Sequence, residues 1–239
     1  MSESPGFAAD FELDVLACDD TLVAVNKPSG MLVHRGWARD DVVAVDLLAR
    51  QLGRRVWPLH RLDRGTSGVL LFAQTVDGAR ALSQLFEAGA IAKRYLALVR
   101  GHPPAEQLVD HALRRVDHRS KQRQEAQTEL RLRETTSLAD APRSGRYALV
   151  EATPLTGRTH QIRRHLKHAG HPIVGDVRYG KGEHNRYFRA RFGLHRLALH
   201  AERLVVPASE GRPAATIDAP LPDDLGPALR AMGFAAELS

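Results

Sequence analysis

Cysteine is all but missing from this 239-residue chain: Cys18 stands alone. No disulfide can form within the chain, which fits a reducing compartment. Cys18 sits between an apolar run and Asp19-Asp20, and reads as a small packing residue rather than a nucleophile. Long hydrophobic runs are also missing. None approaches the ~20 residues that a membrane-spanning helix needs. The start, Met1-Ser2-Glu3-Ser4-Pro5-Gly6, has neither the basic residues nor the apolar stretch of a secretion signal. These absences predict a cytoplasmic protein with no membrane partner. No internal repeat is visible, which argues against a solenoid. Nor is there a long linker, so residues 11–239 are expected to form a single domain after a disordered stretch at 1–10.

What is present is a basic surplus, 34 Lys+Arg against 28 Asp+Glu for a formal charge of +6. Such a surplus favours a polyanionic partner through counterion release. Arginine dominates it, and arginine grips phosphate with two parallel donors and stacks on bases. The remaining composition, 43% hydrophobic and 26% charged, allows a sizeable core.

Periodicity gives the elements. Val15-Leu16-Ala17, a turn at Cys18-Asp19-Asp20 and Leu22-Val23-Ala24-Val25 read as a hairpin. Met31-Leu32-Val33 reads as a short strand after the turn Lys27-Pro28-Ser29-Gly30. Val42, Val45, Leu48 and Leu52 recur at helical spacing, with Asp40 or Asp41 to start the helix and Gly53 to end it. Val69-Leu70-Leu71-Phe72-Ala73 is apolar throughout, as in a strand buried on both faces. Thr75 caps a helix over 77–87 that ends at Gly89. Tyr95 to Val99 and Tyr147 to Ala152 read as strands, and 160–169 as a helix. Residues 102–145 are the most polar stretch. Within them His118 to Arg123 reads as an exposed loop, and Thr128 to Arg133 as an edge strand. Leu197 to His200 and Arg203 to Val206 read as two late strands, and 223–233 as a short helix. Many short strands with a few helices, not in βαβ rhythm, predict an α+β fold around a mainly antiparallel sheet.

Chemistry concentrates in a few segments. In His60-Arg61-Leu62-Asp63-Arg64-Gly65-Thr66-Ser67-Gly68 a carboxylate lies between two arginines, in a loop that opens into the buried strand. A scaffold-held loop is a common home for a site, although a solvated ion pair has the same spacing. In Thr156-Gly157-Arg158-Thr159-His160-Gln161-Ile162-Arg163 a turn feeds a helix start, where backbone N–H groups and arginines favour phosphate or carboxylate. An arginine from this segment is a candidate partner for Asp63. Lys93-Arg94-Tyr95 puts an aromatic ring after two cations, ready to stack on a base or to pack with its hydroxyl at a rim. His160, His165, His168 and His171 lie close together, but arginine and lysine alternate with them and repel a divalent ion. No metal is expected, and these histidines are expected to meet phosphate or solvent.

In this order, with Asn26-Lys27-Pro28-Ser29-Gly30 before them and Gly175-Asp176 and Leu197-Ala198-Leu199-His200-Ala201 after them, the segments resemble the RluA-type pseudouridine synthases. The likeness runs from about Leu13 to Ile217. It implies an enzyme that isomerises uridine to pseudouridine in RNA, with no cofactor. It also implies a catalytic domain whose mixed, mainly antiparallel sheet has flanking helices and a central RNA-binding cleft. The essential aspartate of the family falls on Asp63, its active-site tyrosine on Tyr95 and the basic partner of the aspartate on Arg163. Ile162 falls where an aliphatic side chain packs near the base, and Arg61 where an arginine helps to extrude it. His60, Arg64, Arg158, His160 and Lys93 complete the implied RNA-binding set.

Motifs that begin near residue 13 leave no room for the S4 RNA-binding domain that many relatives acting on rRNA carry. His34-Arg35-Gly36-Trp37-Ala38-Arg39-Asp40, residues 180–186 and Phe192 to Leu197 look most like the tRNA-acting branch. That branch implies U65, in the acceptor/T-stem region, as the target. The same chemistry on rRNA and a non-catalytic RNA-binding module are the alternatives. A monomer is expected.

Overall fold

The computed structural model describes residues 7–8, 10–35, 42–116, 122–209 and 212–235. Most of the expected disordered start (1–6 and 9), the candidate caps Asp40 and Asp41, and most of the 118–123 loop lie outside them. In chain order the first half contains β1 (Asp14–Cys18), β2 (Leu22–Lys27), α1 (Ala44–Leu52), β3 (Trp57–Pro58), β4 (Ser67–Ala73), α2 (Val76–Glu87), β5 (Ala92–Arg100) and β6 (Glu106–Asp110). The second half contains β7 (Leu113–Arg114), β8 (Arg123–Gln124), β9 (Gln127–Ser137), β10 (Arg146–Pro154), α3 (Gln161–His168), α4 (Gly182–Phe192), β11 (Leu199–Val206), β12 (Ala215–Asp218) and α5 (Gly226–Ala231). No helix among the described residues is long and apolar enough to cross a membrane.

The chain forms two compact units, residues 1–92 with 201–220 and residues 93–200 with 221–239. In the first unit, β2 pairs antiparallel with β1 and β4, β3 with β4, and β12 with β11. β4 is buried along its whole length, as its unbroken apolar run requires. Gly68 at its start has φ +110°, and a Cβ there would overlap the backbone of Ala201, so only glycine permits this approach. Leu22, Val69, Leu71, Leu82, Ile91, Leu204 and Ile217 close a core over the sheet. Thr75 caps α2 by accepting a bond from Gly78 N at 3.0 Å, and Gly53 ends α1 in the left-handed region.

In the second unit, β10 lies between β5 and β9, and β6 pairs with the far side of β9, all antiparallel. Tyr147, Leu149, Val150, Leu98, Leu166, Phe188 and Leu229 belong to its core.

Several expectations fail here, for local reasons. Thr128 to Arg133 is not an edge: β9 runs to Ser137 and is paired on both sides. Its exposed alternate side chains imitate an edge pattern. The polar 102–145 stretch supplies β6, β7 and β8, whose burial is too slight to leave an apolar period. The two late strands are one continuous β11. Leu32 makes only an isolated bridge to Val43 rather than belonging to a strand. α4 leaves no clear apolar period because five of its eleven residues are charged or histidine. Cys18 is exposed, not packed.

Candidate functional site

The Asp63 loop joins β3 to β4 in the first unit, and scaffold bonds hold it on both sides. His60 accepts a hydrogen bond on Nε2 from Leu71 N at 3.0 Å, and its ring stacks on Phe86 at 5.0 Å. One nitrogen of His60 is thus committed to β4. Leu62 is buried. Thr66 N donates to Asp63 O at 3.0 Å, closing the turn. From the other side, Gly30 N donates to Arg64 O at 2.8 Å and Ser29 Oγ to Gly65 O at 2.9 Å.

Lys27 completes this clamp. It is fully buried, and its Nζ donates to Pro28 O and Met31 O, each at 2.8 Å, and to Arg64 O at 3.3 Å. A buried ammonium is tolerated only when its donors are met, and here carbonyls of the turn and of the loop meet them together. The Asn26 to Gly30 segment therefore does more than turn the chain. It fixes the backbone beside Asp63, whose side chain is half-buried, while Arg61 is exposed.

In the second unit, Lys93, Arg94 and Tyr95 open β5 with half-buried side chains. Burial pushes the Lys93 ammonium below its ordinary pKa. The second motif enters α3 through His160, a non-glycine residue in the left-handed region at φ 53° and ψ 29°. Such a conformation persists only where the surroundings hold it. His160 Nδ1 lies 3.1 Å from Tyr179 Oη, edge-on to that ring. Gln161 is buried and ties the turn together. Its Oε1 accepts from Arg158 N at 3.0 Å and Thr156 Oγ1 at 2.6 Å, and its Nε2 donates to Gln127 O at 2.9 Å. Arg158 Nε donates to Glu125 O at 2.9 Å. Ile162 is buried in the core.

Arg163 meets Asp176 in a two-pronged pair, Nε to Oδ2 at 2.7 Å and Nη2 to Oδ1 at 2.9 Å. The Asp176 side chain is fully buried. Its Oδ1 also accepts from Arg178 N and Tyr179 N, each at 2.9 Å. Burial alone would raise the Asp176 pKa, but the Arg163 bonds and these N–H groups outweigh it and hold the carboxyl below its ordinary value. Gly175, at φ +79°, packs where a Cβ would overlap Arg196 O. Asn185 of α4 holds the segment in place, accepting from Gly175 N at 2.9 Å and donating to Asp176 O at 3.1 Å. Arg163 also stands 5.2 Å from the Tyr179 ring centre, with Arg178 at 5.5 Å and Lys167 at 5.8 Å. This is a fixed guanidinium beside an aromatic platform. The fork geometry specifies arginine rather than lysine.

Gly175-Asp176 stands in the sequence only as part of the family resemblance, Tyr179 carries no signal of its own, and no sequence feature ties either to Arg163. Among the histidines, His165 departs from expectation, while His168 is exposed as expected. His165 is buried, with Nδ1 2.9 Å from Thr128 Oγ1 and Nε2 3.0 Å from His111 O. Both its nitrogens serve the fold, so it faces neither phosphate nor solvent. His168 stacks on His111 at 3.7 Å.

Comparison with known proteins agrees with this frame. The profile of a family described as RNA pseudouridylate synthase matches residues 21–168. A tRNA pseudouridine synthase C of Haemophilus ducreyi is 42% identical over 205 residues, 81% of this chain and 84% of that protein. The protein of the same name from Salmonella typhimurium is 44% identical over 207 residues, covering 80% and 79% of the two chains. Among solved structures, Human RNA Pseudouridylate Synthase Domain Containing 4 is 28% identical with a TM-score of 0.74, over 92% of this chain and 93% of that one.

Proposed function

The chain belongs to the RNA pseudouridylate synthase family, and from that premise we propose that it isomerises one uridine of tRNA, U65, in the cytoplasm, with Asp63 as its catalytic carboxylate. The reaction breaks the bond from ribose C1′ to N1, turns the base and joins C1′ to C5. C5 gives up its proton and N1 gains one, so nothing is consumed. A uridine in a helix must first be flipped out, at a cost of a few kcal/mol.

In this reading Asp63 acts as the anion that begins the exchange, and Arg163 keeps it ionised and aimed. Tyr95 covers the face of the base and excludes water from the detached intermediate. Arg61 takes part in extruding the base. Ile162 packs near it, and His60, Arg64, Lys93, Arg158 and His160 hold the RNA around it. The observation that carries the reading is the clamp on the Asp63 loop, in which Lys27, Ser29 and Gly30 bind the carbonyls of Arg64 and Gly65. A solvated ion-pair loop needs no such restraint, whereas chemistry at a fixed ribose carbon depends on it. The names of the relatives support tRNA as the substrate.

The test is to incubate the protein with tRNA and rRNA transcripts and map pseudouridine chemically. The expected product is in tRNA, at U65. Product in rRNA alone overturns the substrate assignment, and product in neither favours a binding module. Asp63→Asn is expected to abolish turnover while RNA still binds. Substantial turnover by that variant overturns the catalytic assignment.

A further inference from the structure

Arg100, the last residue of β5, lines a cavity of about 270 Å³ built entirely from the second unit. Arg143, Arg146, His102, His171 and His184 share its wall. At about 3.3 Å per strand residue, the five residues from Tyr95 to Arg100 put it roughly 17 Å along β5 from the tyrosine. The cavity therefore sits at the far end of that strand from Tyr95.

Its charges are poorly answered. Arg143 pairs with Glu183 through Nε. Among the described residues neither Arg100 nor Arg146 has an ion pair. Arg100 Nη1 and His184 Nε2 are both buried with no hydrogen-bond partner. His184 is 3% exposed, and the nearest carboxylate oxygen, Glu183 Oε1, lies 3.8 Å from its Nε2, beyond hydrogen-bond reach. Buried donors left unmet are rare in folded proteins and call for an explanation.

The direction of the His184 proton follows from its other neighbour. Tyr147 Oη lies 2.7 Å from His184 Nδ1. Burial pushes the Tyr147 hydroxyl up to about 12, so it stays protonated. Burial first, and then Arg100 and Arg143, push His184 down, so its ring is neutral near pH 7. The arrangement that leaves fewest groups unmet has Tyr147 donating to Nδ1, and the ring then carries its hydrogen on Nε2. His171 Nδ1 and His102 Nε2 are within 3.0 Å of Arg100 O and Thr136 O, so each has one nitrogen tied to the scaffold. Arg100 Nη1 and the Nε2–H of His184 remain as buried donors that no acceptor meets, while the free ring nitrogens of His171 and His102 accept in the neutral form and donate when protonated.

We propose that this cavity is a phosphate-binding pocket, in which Arg100, Arg146 and the Nε2–H of His184 donate to phosphoryl oxygens. A phosphate offers several acceptor oxygens, which suits two guanidinium forks and a neutral donor. The phosphate comes either from the backbone of bound RNA, which rests on the reading above, or from a free phosphate. Arg146 is exposed, so Arg146→Met is expected to fold.

The test has two arms on the full-length chain. Inorganic phosphate is titrated while the His184 imidazole nitrogen resonances are followed, with sodium chloride at equal ionic strength as control. The resonances are expected to move in the unaltered protein and much less in Arg146→Met. In the second arm, binding of a tRNA transcript is measured over a range of salt. If RNA supplies the phosphate, Arg146→Met weakens binding about 3- to 10-fold and flattens the slope of log Kobs against log[salt] by about one. If a free phosphate is the ligand, RNA binding is unchanged and phosphate still titrates His184 with tRNA bound. The proposal is overturned if phosphate moves His184 no more than chloride does and the salt slope is unaltered. Neither arm depends on turnover, so a failed pseudouridine assay leaves the result readable.

Discussion

Arg163 and Arg100 both belong to the second unit and both are largely withdrawn from solvent, yet Arg163 meets a buried carboxylate through two bonds and Arg100 meets none. The Arg163 pair is buttressed further, since Asp176 is held by backbone N–H groups and its segment by Asn185. No carboxylate is among the residues that line the Arg100 cavity, and the neighbouring Glu183 is taken by Arg143 of its wall. Charge that is answered inside the protein is charge aimed, and it serves geometry. Charge left unanswered is stored for something that arrives from outside.

Breaking the answered pair has the largest expected effect. Asp176→Ala removes the two-pronged partner of the largely buried Arg163 guanidinium and is expected to lower unfolding stability by about 3–5 kcal/mol in urea titration. A loss under about 1 kcal/mol would mean that Arg163 does not depend on this partner. Acidification comes next. His165 and His184 both have folded pKa values below 6.5, owing first to burial. Below that pH the unfolded chain binds protons that the folded chain refuses, so stability falls as pH drops from 7 toward 5. The limit is about 1.4 kcal/mol per pH unit for each histidine. Urea midpoints at the two pH values check it, and His184→Gln is expected to shrink the difference. Asp176 adds a loss of the same sign at lower pH. Its carboxyl is depressed, so its contribution is present above about pH 3.9 and disappears as pH falls through the folded value.

The unanswered arginines are expected to move stability little or in the opposite direction. Arg100→Met removes an unpaired buried donor and keeps the apolar stem, so stability is expected to hold or to rise by about 1 kcal/mol. A fall of 2 kcal/mol or more would show that Arg100 is part of the scaffold and would erase the contrast with Arg163. Arg146→Met is expected to stay within about 0.5 kcal/mol of the unaltered protein, which makes it the cleanest probe of the cavity.

Much of the frame was legible because single-element physics wrote it. The apolar run of β4, the Thr75 cap and the Gly53 stop each follow from residues within one turn or strand. The Asp63 loop and the Arg163 segment stood out by charge in turn settings. What escaped depends on distant pairing. The clamp by Lys27 joins residues 37 apart in the chain, and no periodicity records it. β9 has an edge pattern because its solvent face alternates, while its second neighbour β6 is only five residues long and mostly exposed. His165 looks like one more cation on a basic helix. Only the bonds of its ring to Thr128 and His111 reveal a core residue.

The sealed position of Lys27 makes it a reporter. Amine-reactive reagents that label every surface lysine have no path to an ammonium with zero exposure, so its adduct forms only when the turn lifts off the Asp63 loop. The labelling rate at that one side chain, read by peptide mass, then times how often the loop lets go.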